Sequence, residues 1–400
     1  WTLSFQNLGL IREGAVRIAP LMLFTGDNNS GKSYVMALLW GIVALGRNLF
    51  PSRKPQNQSY QRCEKWLLEK IASSQDTIIL NLEDMDFFVH WFSENLHAKR
   101  GELCDTLFGE GKIQLRELRL ENYFRESGLE LRLEKNANFN SRYSSGKDYV
   151  RFPLSSAEPD ASEVYRMVQY LTWKIVIDDL GAPLYPPQNA LSAVPSGETL
   201  YLPAARTGFT LMRKMLASAA FTMGGEAMPL LLPTRRFMQR FLNLSFEGKS
   251  RYADFADILE SRVLLGQVRW NNAPLPDYSY FPMKNHDVGL PLWLTSSLVT
   301  ELSPLLLFLR GGDDFRSLVI EEPEAHLHLE MQKELARLLV RLVNSGLPVW
   351  ITTHGDTFFQ QMSNLVKAFG LEKESLKSFC LEREEVLSPE KVSAFYFKRE

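Results

Sequence analysis

The chain has 400 residues, of which 45% are hydrophobic and 23% are charged, and its formal net charge is -2 at pH 7. These values are typical of a globular protein with two or three domains, or with one domain and a large insertion, and they exclude a disordered or strongly basic chain. The three cysteines are widely spaced and form no CxxC pair, so neither a disulfide framework nor a zinc site is indicated and a cytoplasmic location is expected.

The sequence predicts no membrane span and leaves nucleic acid open as a partner. The apolar stretch MALLWGIVALG at 36–46 is too short to cross a bilayer. Basic clusters, such as the one formed by Arg206, Arg213 and Lys214, could meet nucleic acid, although a solvated helix face gives the same pattern. We therefore expect no association with membranes.

The N-terminal 25 residues predict short strands. TLSFQNL, AVRIAP and LMLFTG are rich in β-branched and aromatic residues and are separated by Gly and Pro. From Lys32 onward the apolar spacing is that of a helix, which is expected to end before Pro51. The stretch GDNNSGKS at 26–33 is therefore expected between a strand and the N-terminus of a helix.

This glycine-rich loop completes the pattern GxxxxGK[ST]. Its glycines allow backbone N–H groups to turn toward a phosphate chain, while Lys32 reaches the terminal phosphates and Ser33 ligates magnesium. The alternative interpretation is an ordinary glycine turn that caps a helix. The other residues predicted to bind the phosphates are Gly26, Asn28, Asn29, Ser30 and Gly31.

A polar, proline-bearing stretch opens a long middle region, 51–284, that we interpret as a mostly helical insertion. Predicted helices alternate there with the strands LELRLEK and KDYVRFPL, and 181–198 is expected to be a loop. The strand-like segment at 198–210 is expected to return to the main domain, and a hairpin-like stretch begins at Gly266. No sustained heptad pattern indicates a coiled-coil arm.

The last 110 residues or so alternate helix and strand again, which favours a parallel sheet covered by helices. The predicted fold class is therefore α/β. Residues 1–50 and 285–400 are expected to form one domain, with antiparallel strands at its N-terminus.

The stretch SLVIEEPE at 317–324 provides the acidic residues that a phosphate loop needs for its metal. Glu321 is expected in the magnesium shell, and Glu322 is expected to polarise the attacking water. The alternative is a charged strand end beside a capping glutamate, which we would prefer if the glycine-rich loop were absent.

The stretch PVWITTHGD places His354 at the end of another apolar strand. Phosphate chemistry in open parallel sheets occurs at this edge, where a neutral imidazole can bond the γ-phosphate or the attacking water. A single histidine at a strand end usually has no such role. The order of loop, acidic pair and histidine favours the functional interpretation, with Glu322 and His354 as catalytic residues.

The motifs GDNNSGKS, VIEEPEAHLH and ITTH, together with the N-terminal strands and YLPAAR, resemble the ABC-type ATPase heads of OLD-like (overcoming-lysogenisation-defect) proteins, relatives of the SMC and recombination ATPases. The resemblance covers roughly 1–50, 198–210 and 285–400. It implies an ABC-type P-loop NTPase head that hydrolyses ATP with Mg²⁺. It also implies a homodimer or higher homo-oligomer in which ATP lies between two heads.

The resemblance also implies further site residues. In such heads a signature helix completes the nucleotide site of the facing subunit, and Ser296 and Ser297 match its serines, whereas Leu298 replaces a glycine. The alternative is an N-capping serine pair. Arg206 matches an arginine that touches nucleotide or a partner in the family, and without the resemblance it would be an ordinary surface charge.

The histidines of EAHLH, His326 and His328, occupy the place of the loop that communicates between facing subunits in the family. An HxH pair also invites a zinc interpretation, but no third ligand is nearby in the sequence.

The function that the resemblance implies is an ATP-hydrolysing molecular switch. OLD-like heads without a fused nuclease are similar to the ATPase components of two-gene phage-defence systems such as PARIS and Septu. We therefore expect a sensor ATPase with a phage-derived trigger and a separate effector protein, such as a Toprim or HNH nuclease.

The alternative is a DNA-repair or DNA-end-binding ATPase. A fused nuclease and a transporter subunit fit less well, because the sequence has no Asp-x-Asp set after His354 and no LSGGQ motif.

Overall fold

A computed structural model describes most of the chain. The loop predicted at 181–198 lies outside the described residues. The described ranges are 1–73, 76–124, 128–134, 143–145, 149–154, 159–180, 199–222, 230–247, 250–271, 273, 275–285, 287–312 and 315–398.

The elements are numbered in chain order. The strands are β1 (Thr2–Leu8), β2 (Ile11–Arg17), β3 (Leu21–Gly26), β4 (Thr77–Leu80), β5 (Glu117–Glu121), β6 (Leu129–Glu134), β7 (Ser144–Ser145), β8 (Tyr149–Pro153), β9 (Thr199–Leu202), β10 (Gly266–Trp270), β11 (Tyr278–Pro282), β12 (Leu290–Pro291), β13 (Ser317–Glu321), β14 (Val349–Thr352) and β15 (Val392–Phe397). The helices are α1 (Lys32–Leu45), α2 (Gln58–Ala72), α3 (Leu82–Ala98), α4 (Arg100–Phe108), α5 (Ala161–Leu180), α6 (Arg206–Thr222), α7 (Leu232–Leu242), α8 (Ala253–Ile258), α9 (Ser297–Arg310), α10 (Leu329–Asn344), α11 (Asp356–Lys367) and α12 (Lys373–Ser378).

The chain divides into two compact units. The first contains Trp1–Ala19 and Ala37–Glu198, and the second contains Pro20–Met36 and Thr199–Glu400. The division expected from the sequence, a head at 1–50 and 285–400 with an insertion at 51–284, stays a prediction.

The first unit combines two sheets with a helical core. The N-terminal strands are antiparallel, as predicted, because β1 pairs with both β2 and β5 in that sense. A second sheet has the order β4-β6-β8-β7. Helices α2, α3 and α5 bury an aromatic cluster in which the rings of Tyr60 and Trp91 lie 5.4 Å apart and those of Tyr60 and Tyr165 also 5.4 Å. Aromatic contacts of this kind add to the stabilisation that comes from burying apolar area.

Helix α3 begins where local hydrogen bonds satisfy its first backbone donors. The side chain of Asn81 accepts a hydrogen bond from the backbone N–H of Asp84 (2.9 Å), and the Asp84 carboxylate accepts one from the backbone N–H of Asn81 (3.1 Å). This reciprocal capping is a common reason for a helix to start at a given residue.

The second unit is built on a parallel sheet with the order β15-β3-β14-β13-β9. Each neighbouring pair in this order is parallel. Every residue of β13 is buried, and α9 buries its residues from Val299 to Leu309. Strands that are buried on both faces read as continuous apolar runs, which is why LMLF and SLVI carry almost no polar residues. The predicted α/β class with a parallel sheet is confirmed.

Other local predictions are confirmed as well. The hairpin-like stretch from Gly266 forms the antiparallel pair β10 and β11, and the strands predicted in LELRLEK and KDYVRFPL are β6 and β8. Among the described helices, none is long and apolar enough to cross a lipid bilayer.

Candidate functional site

Three neighbouring strands of the parallel sheet end at one edge. In the register of the sheet, Thr352 of β14 lies opposite Phe24 of β3 and opposite Glu321 of β13. The residues that follow these strands are the glycine-rich loop, His354 and Glu322. The sheet therefore brings together, at its carboxyl edge, three motifs that are far apart in the sequence, and this is where open α/β sheets bind ligands.

The glycine-rich loop connects β3 to α1, as the sequence predicts. Its backbone adopts left-handed or otherwise positive φ angles at Gly26 (124°), Asn29 (57°) and Gly31 (95°). Helix α1 has no acidic residue in its first turn. The first N–H groups of a helix have no partner within the helix, so this end of α1 is suited to an anion.

Position 26 requires glycine for two reasons, its positive φ angle and the closeness of a neighbouring strand. Strand β15 runs beside β3, and the backbone N–H of Asp27 donates to the carbonyl oxygen of Phe397 (3.0 Å). A Cβ atom at position 26 would lie 2.1 Å from that same oxygen. The first glycine of the loop therefore allows β15 to pack directly against the site.

We expect Gly26→Ala to destabilise the protein by about 3 kcal/mol, because it combines an unfavourable φ angle with a backbone clash. The measurement is urea-induced unfolding followed by fluorescence. Gly101→Ala is the matched control, since a Cβ there meets no atom within 4 Å. Equal stability of the two variants would show that β15 does not hold the loop in this way.

The side chain of Lys32 folds back into the glycine-rich loop that precedes it. Its side chain is buried, and Nζ donates to the carbonyl oxygens of Gly26 (3.0 Å) and Asp27 (2.6 Å). Burial lowers the pKa of Lys32, and the charges of Glu322 and Asp27 partly counter that effect. The ammonium group is thus held inside the loop and within electrostatic range of the Glu322 carboxylate.

The remaining predicted residues of the loop lie at its surface. Ser30 is half-buried, 3.4 Å from Lys32 Nζ, while Asn28, Asn29 and Ser33 are exposed. Ser33 is the second residue of α1, so its hydroxyl stands at the helix N-terminus.

Glu321 is the last residue of β13 and is buried. Its Oε2 accepts a hydrogen bond from the backbone N–H of Ala204 (3.2 Å). Burial raises the pKa of Tyr201, and the charge and hydrogen bonding of the adjacent Glu321 raise it further. Even so, Glu321 Oε1 receives no hydrogen bond of regular geometry within the described part of the chain. A buried carboxylate oxygen with spare bonding capacity fits a ligand for a hard divalent cation.

Glu322 has an unusual backbone conformation for a glutamate, with φ at 46°. Its N–H donates to the carbonyl oxygen of Thr352 (2.9 Å), and its Oε1 lies 3.0 Å from His354 Nε2. Both side chains are about one-third exposed, at 37% for Glu322 and 34% for His354. Strained backbone of this kind is characteristic of functional sites, and here it occurs at the residue whose carboxylate contacts the imidazole.

Arg206 is completely buried, which excludes the interpretation as an ordinary surface charge. Its guanidinium donates to the carbonyl oxygens of Glu321 (2.5 Å) and Glu322 (3.1 Å) and forms an ion pair with Glu301 at 2.7 Å. Burial lowers its pKa, and the surrounding glutamates counter that effect. The guanidinium has no exposed surface in this structure and holds the backbone of the acidic pair, and its expected contact with nucleotide or a partner stays a prediction.

The proposed signature helix is α9. Ser296 takes the N-cap position but makes no capping hydrogen bond through its side chain, and Ser296 and Ser297 are both exposed. One turn later, Glu301 accepts hydrogen bonds from the backbone N–H (2.9 Å) and hydroxyl (2.8 Å) of Thr207. Since Glu301 also pairs with Arg206, α9 is bonded directly to the residues that hold the acidic pair.

The two histidines of EAHLH lie in the chain segment between β13 and α10. His326 has a positive φ of 63°, and His328 is the N-cap residue of α10. Both are exposed.

One family model matches part of the chain. Residues 242–358 match the family model for an AAA ATPase domain. The matched segment contains β13, Glu321, Glu322, α9 and His354, whereas the glycine-rich loop and Arg206 lie outside it. The match supports ATPase activity in general. No curated protein sequence matches the chain.

Solved structures that are similar to the chain include SMC head domains. One is an SmcHead bound to the C-winged helix domain of ScpA, at 12% identity, covering 90% of this chain and 91% of that chain with a TM-score of 0.35. Another is the SMC head domain from Thermotoga maritima, at 11% identity, 90% of each chain and a TM-score of 0.32. A third is an Smc head domain with an extended coiled coil bound to the C-terminal domain of ScpA derived from Pyrococcus furiosus, at 10% identity, 90% of each chain and a TM-score of 0.34.

Sequence reasoning missed two residues of the site. Glu324 holds the segment that carries His354, and Glu301 holds Arg206. Glu324 had one signal in the sequence, because it is the third acidic residue of the stretch EEPE at 321–324. Glu301 had no such signal, because a single glutamate in an apolar helix can face solvent as readily as a buried partner.

Proposed function

We propose that this protein is an ATPase that binds ATP with Mg²⁺ at the carboxyl edge of its parallel sheet. The observation that supports this most directly is the 3.0 Å contact between Glu322 Oε1 and His354 Nε2, with the buried Lys32 within electrostatic range of Glu322. A cation inside a glycine-rich loop, near a carboxylate that contacts an imidazole, matches the requirements of phosphoryl transfer to water.

Phosphate binding is assigned to the loop and to Lys32. The backbone N–H groups at 28–33 and the N-terminus of α1 surround the position of the phosphates. Lys32 then exchanges its bonds to the carbonyl oxygens of Gly26 and Asp27 for stronger bonds to phosphate oxygens, in which the acceptor is charged as well as the donor. The loop thus keeps its own cation in place until an anion replaces those carbonyl groups.

Water activation is assigned to Glu322. A neutral imidazole can donate from His354 Nε2 to Glu322 Oε1, which orients the carboxylate and leaves its other oxygen to accept a proton from water. Ser33 and Glu321 are the residues that would hold the magnesium ion, which supplies neutralisation of the phosphate charge when it is bound. Arg206 keeps the acidic pair in position through the carbonyl oxygens of both glutamates.

The exposed start of α9 supports an oligomeric switch. Ser296 and Ser297 are exposed at a helix N-terminus, and the side chain of Ser296 makes no capping hydrogen bond. This arrangement suits a γ-phosphate held by the facing subunit of a homodimer or higher homo-oligomer. Formation and hydrolysis of the ATP-bridged state would then switch the protein between two assemblies.

The biological role that we propose is that of an OLD-like sensor ATPase in a prokaryotic anti-phage system. It rests on the resemblance of the motifs, and it places a separate effector, such as a Toprim or HNH nuclease, under the control of the switch. Purification from native cells tests this proposal. Tight co-purification with an effector supports it, whereas strong, salt-sensitive DNA binding that stimulates hydrolysis would favour a DNA-repair ATPase instead.

Lys32→Ala is expected to weaken ATP binding by about 100-fold or more, because a buried, charge-assisted hydrogen bond contributes about 3 kcal/mol. Isothermal titration with ATP and Mg²⁺ measures the affinity. Lys333→Ala, which removes an exposed lysine from α10, is the control and should bind like the wild type. Unchanged affinity in Lys32→Ala would show that the loop serves another purpose.

A further inference from the structure

Glu324 lies in the turn that follows β13 and is 9% exposed. One oxygen of its carboxylate, Oε1, accepts three hydrogen bonds. The donors are the Thr353 hydroxyl (2.5 Å), the backbone N–H of His354 (3.0 Å) and the backbone N–H of Gly355 (3.0 Å). A carboxylate with this many donors is a fixed point in the structure, because removing it takes this acceptor from the Thr353 hydroxyl and from the His354 N–H, whereas the Gly355 N–H also donates to Thr353 Oγ1 (3.1 Å).

The three donors form the short connection between β14 and α11. Gly355 is the N-cap of α11, so the carboxylate also lies at a helix N-terminus, where negative charge is favourable. A Cβ at Gly355 would lie 3.2 Å from Glu324 Cγ, so the carboxylate and the connection pack closely. The same connection is also bonded to strand β3, because the backbone N–H of Thr353 donates to the carbonyl oxygen of Phe24 (2.9 Å).

The turn that carries Glu324 is itself held by hydrogen bonds. The N–H of Ala325 donates to the carbonyl oxygen of Glu322 (3.1 Å), and the N–H of Leu327 donates to the carbonyl oxygen of Glu324 (3.1 Å). Glu322 and Glu324 therefore lie in one hydrogen-bonded turn. One of them contacts the imidazole of His354 and the other contacts its backbone.

We propose that Glu324 is the residue that positions His354 against Glu322. Its carboxylate fixes the backbone at 353–355, and that backbone places the imidazole where Nε2 reaches Glu322 Oε1. Glu324 acts through His354 and does not touch the reacting atoms. This inference rests on the proposed ATPase function for its kinetic consequence, but its structural consequence can be measured without ATP.

Glu324→Gln keeps the size of the side chain and one acceptor oxygen but removes the charge. We expect kcat for ATP hydrolysis to fall by about 10- to 100-fold, as for other residues that orient a catalytic group, with little change in ATP affinity. In the His354→Ala background the same substitution should cause no further loss, because a residue that acts only through His354 has nothing left to position. A purely structural role would lower kcat in both backgrounds.

Glu330→Gln is the matched control, because it changes an exposed glutamate in the first turn of α10. It should leave kcat and stability unchanged. Equal losses in the two His354 backgrounds, or a full kcat in Glu324→Gln, would overturn the positioning role while leaving the ATPase function in place.

A second measurement is independent of hydrolysis. The imidazole signal of His354 in a histidine NMR spectrum, assigned with His354→Ala, should shift on Glu322→Gln in the wild-type background. In the Glu324→Gln background, Glu322→Gln should no longer shift it, because the two side chains are no longer in contact. Persistence of the shift would overturn the proposal, and absence of hydrolysis in the wild type would overturn only the proposed function.

Discussion

Glu322→Gln is expected to bind ATP with wild-type affinity and to hydrolyse it at least about 100-fold more slowly, since loss of a general base typically costs that factor or more. The amide keeps the size of the side chain and can still accept from His354 Nε2, so the local geometry is retained. It cannot take a proton from water. Steady-state release of phosphate and equilibrium binding of ATP separate the two effects.

The same variant should accumulate an ATP-bound oligomer, because assembly requires ATP and disassembly requires its hydrolysis. Mass photometry with ATP and with ADP is the measurement, and only ATP should shift the mass. Glu330→Gln again serves as the control. Full turnover by Glu322→Gln would place the general base elsewhere, and an unchanged mass would contradict the oligomeric switch.

The parts of the site that the sequence predicts are those with a local pattern. The glycine-rich loop is recognised from its own eight residues, and the apolar run before it predicts β3. The acidic pair and His354 follow apolar runs of the same kind, and the alternation of helix and strand predicts that the runs are parallel. Parallel strands place their carboxyl ends at one edge, so proximity of the loop, Glu322 and His354 follows from the predicted sheet.

The parts that could not be predicted depend on contacts between distant residues. Arg206 and Glu301 are separated by 95 residues, and Arg206 and Glu321 by 115. No pattern in a single sequence indicates that this arginine will be buried, because an arginine at a helix start usually faces solvent. The positive φ of Glu322 is likewise set by its surroundings and not by the preference of glutamate.

A buried arginine is well suited to hold a strained acidic pair. Its planar fork can donate to several acceptors at fixed angles, and here it reaches the carbonyl oxygens of Glu321 and Glu322 together with the Glu301 carboxylate. The backbone of Glu322 is therefore held by Arg206 on one side and by Thr352 on the other. Because Glu301 belongs to α9, one ion pair links that helix to the arginine that holds the acidic pair.

Arg206→Met should destabilise the protein by about 3–5 kcal/mol, because it leaves the Glu301 charge buried without its partner. Urea-induced unfolding measures the loss. Arg236→Met, which changes an exposed arginine of α7, is the control and should remain within about 0.5 kcal/mol of the wild type.

The double variant Arg206→Met, Glu301→Leu separates stability from activity. Replacing both members of a buried ion pair by apolar residues is often nearly neutral, so much of the lost stability should return. The carbonyl oxygens of Glu321 and Glu322 still lack the guanidinium in this variant, and the Glu322 backbone is free to leave its positive φ angle. Hydrolysis of ATP should therefore stay low even where stability recovers. Recovery of both together would mean that Arg206 serves the packing of α9 alone and that the acidic pair keeps its position without it.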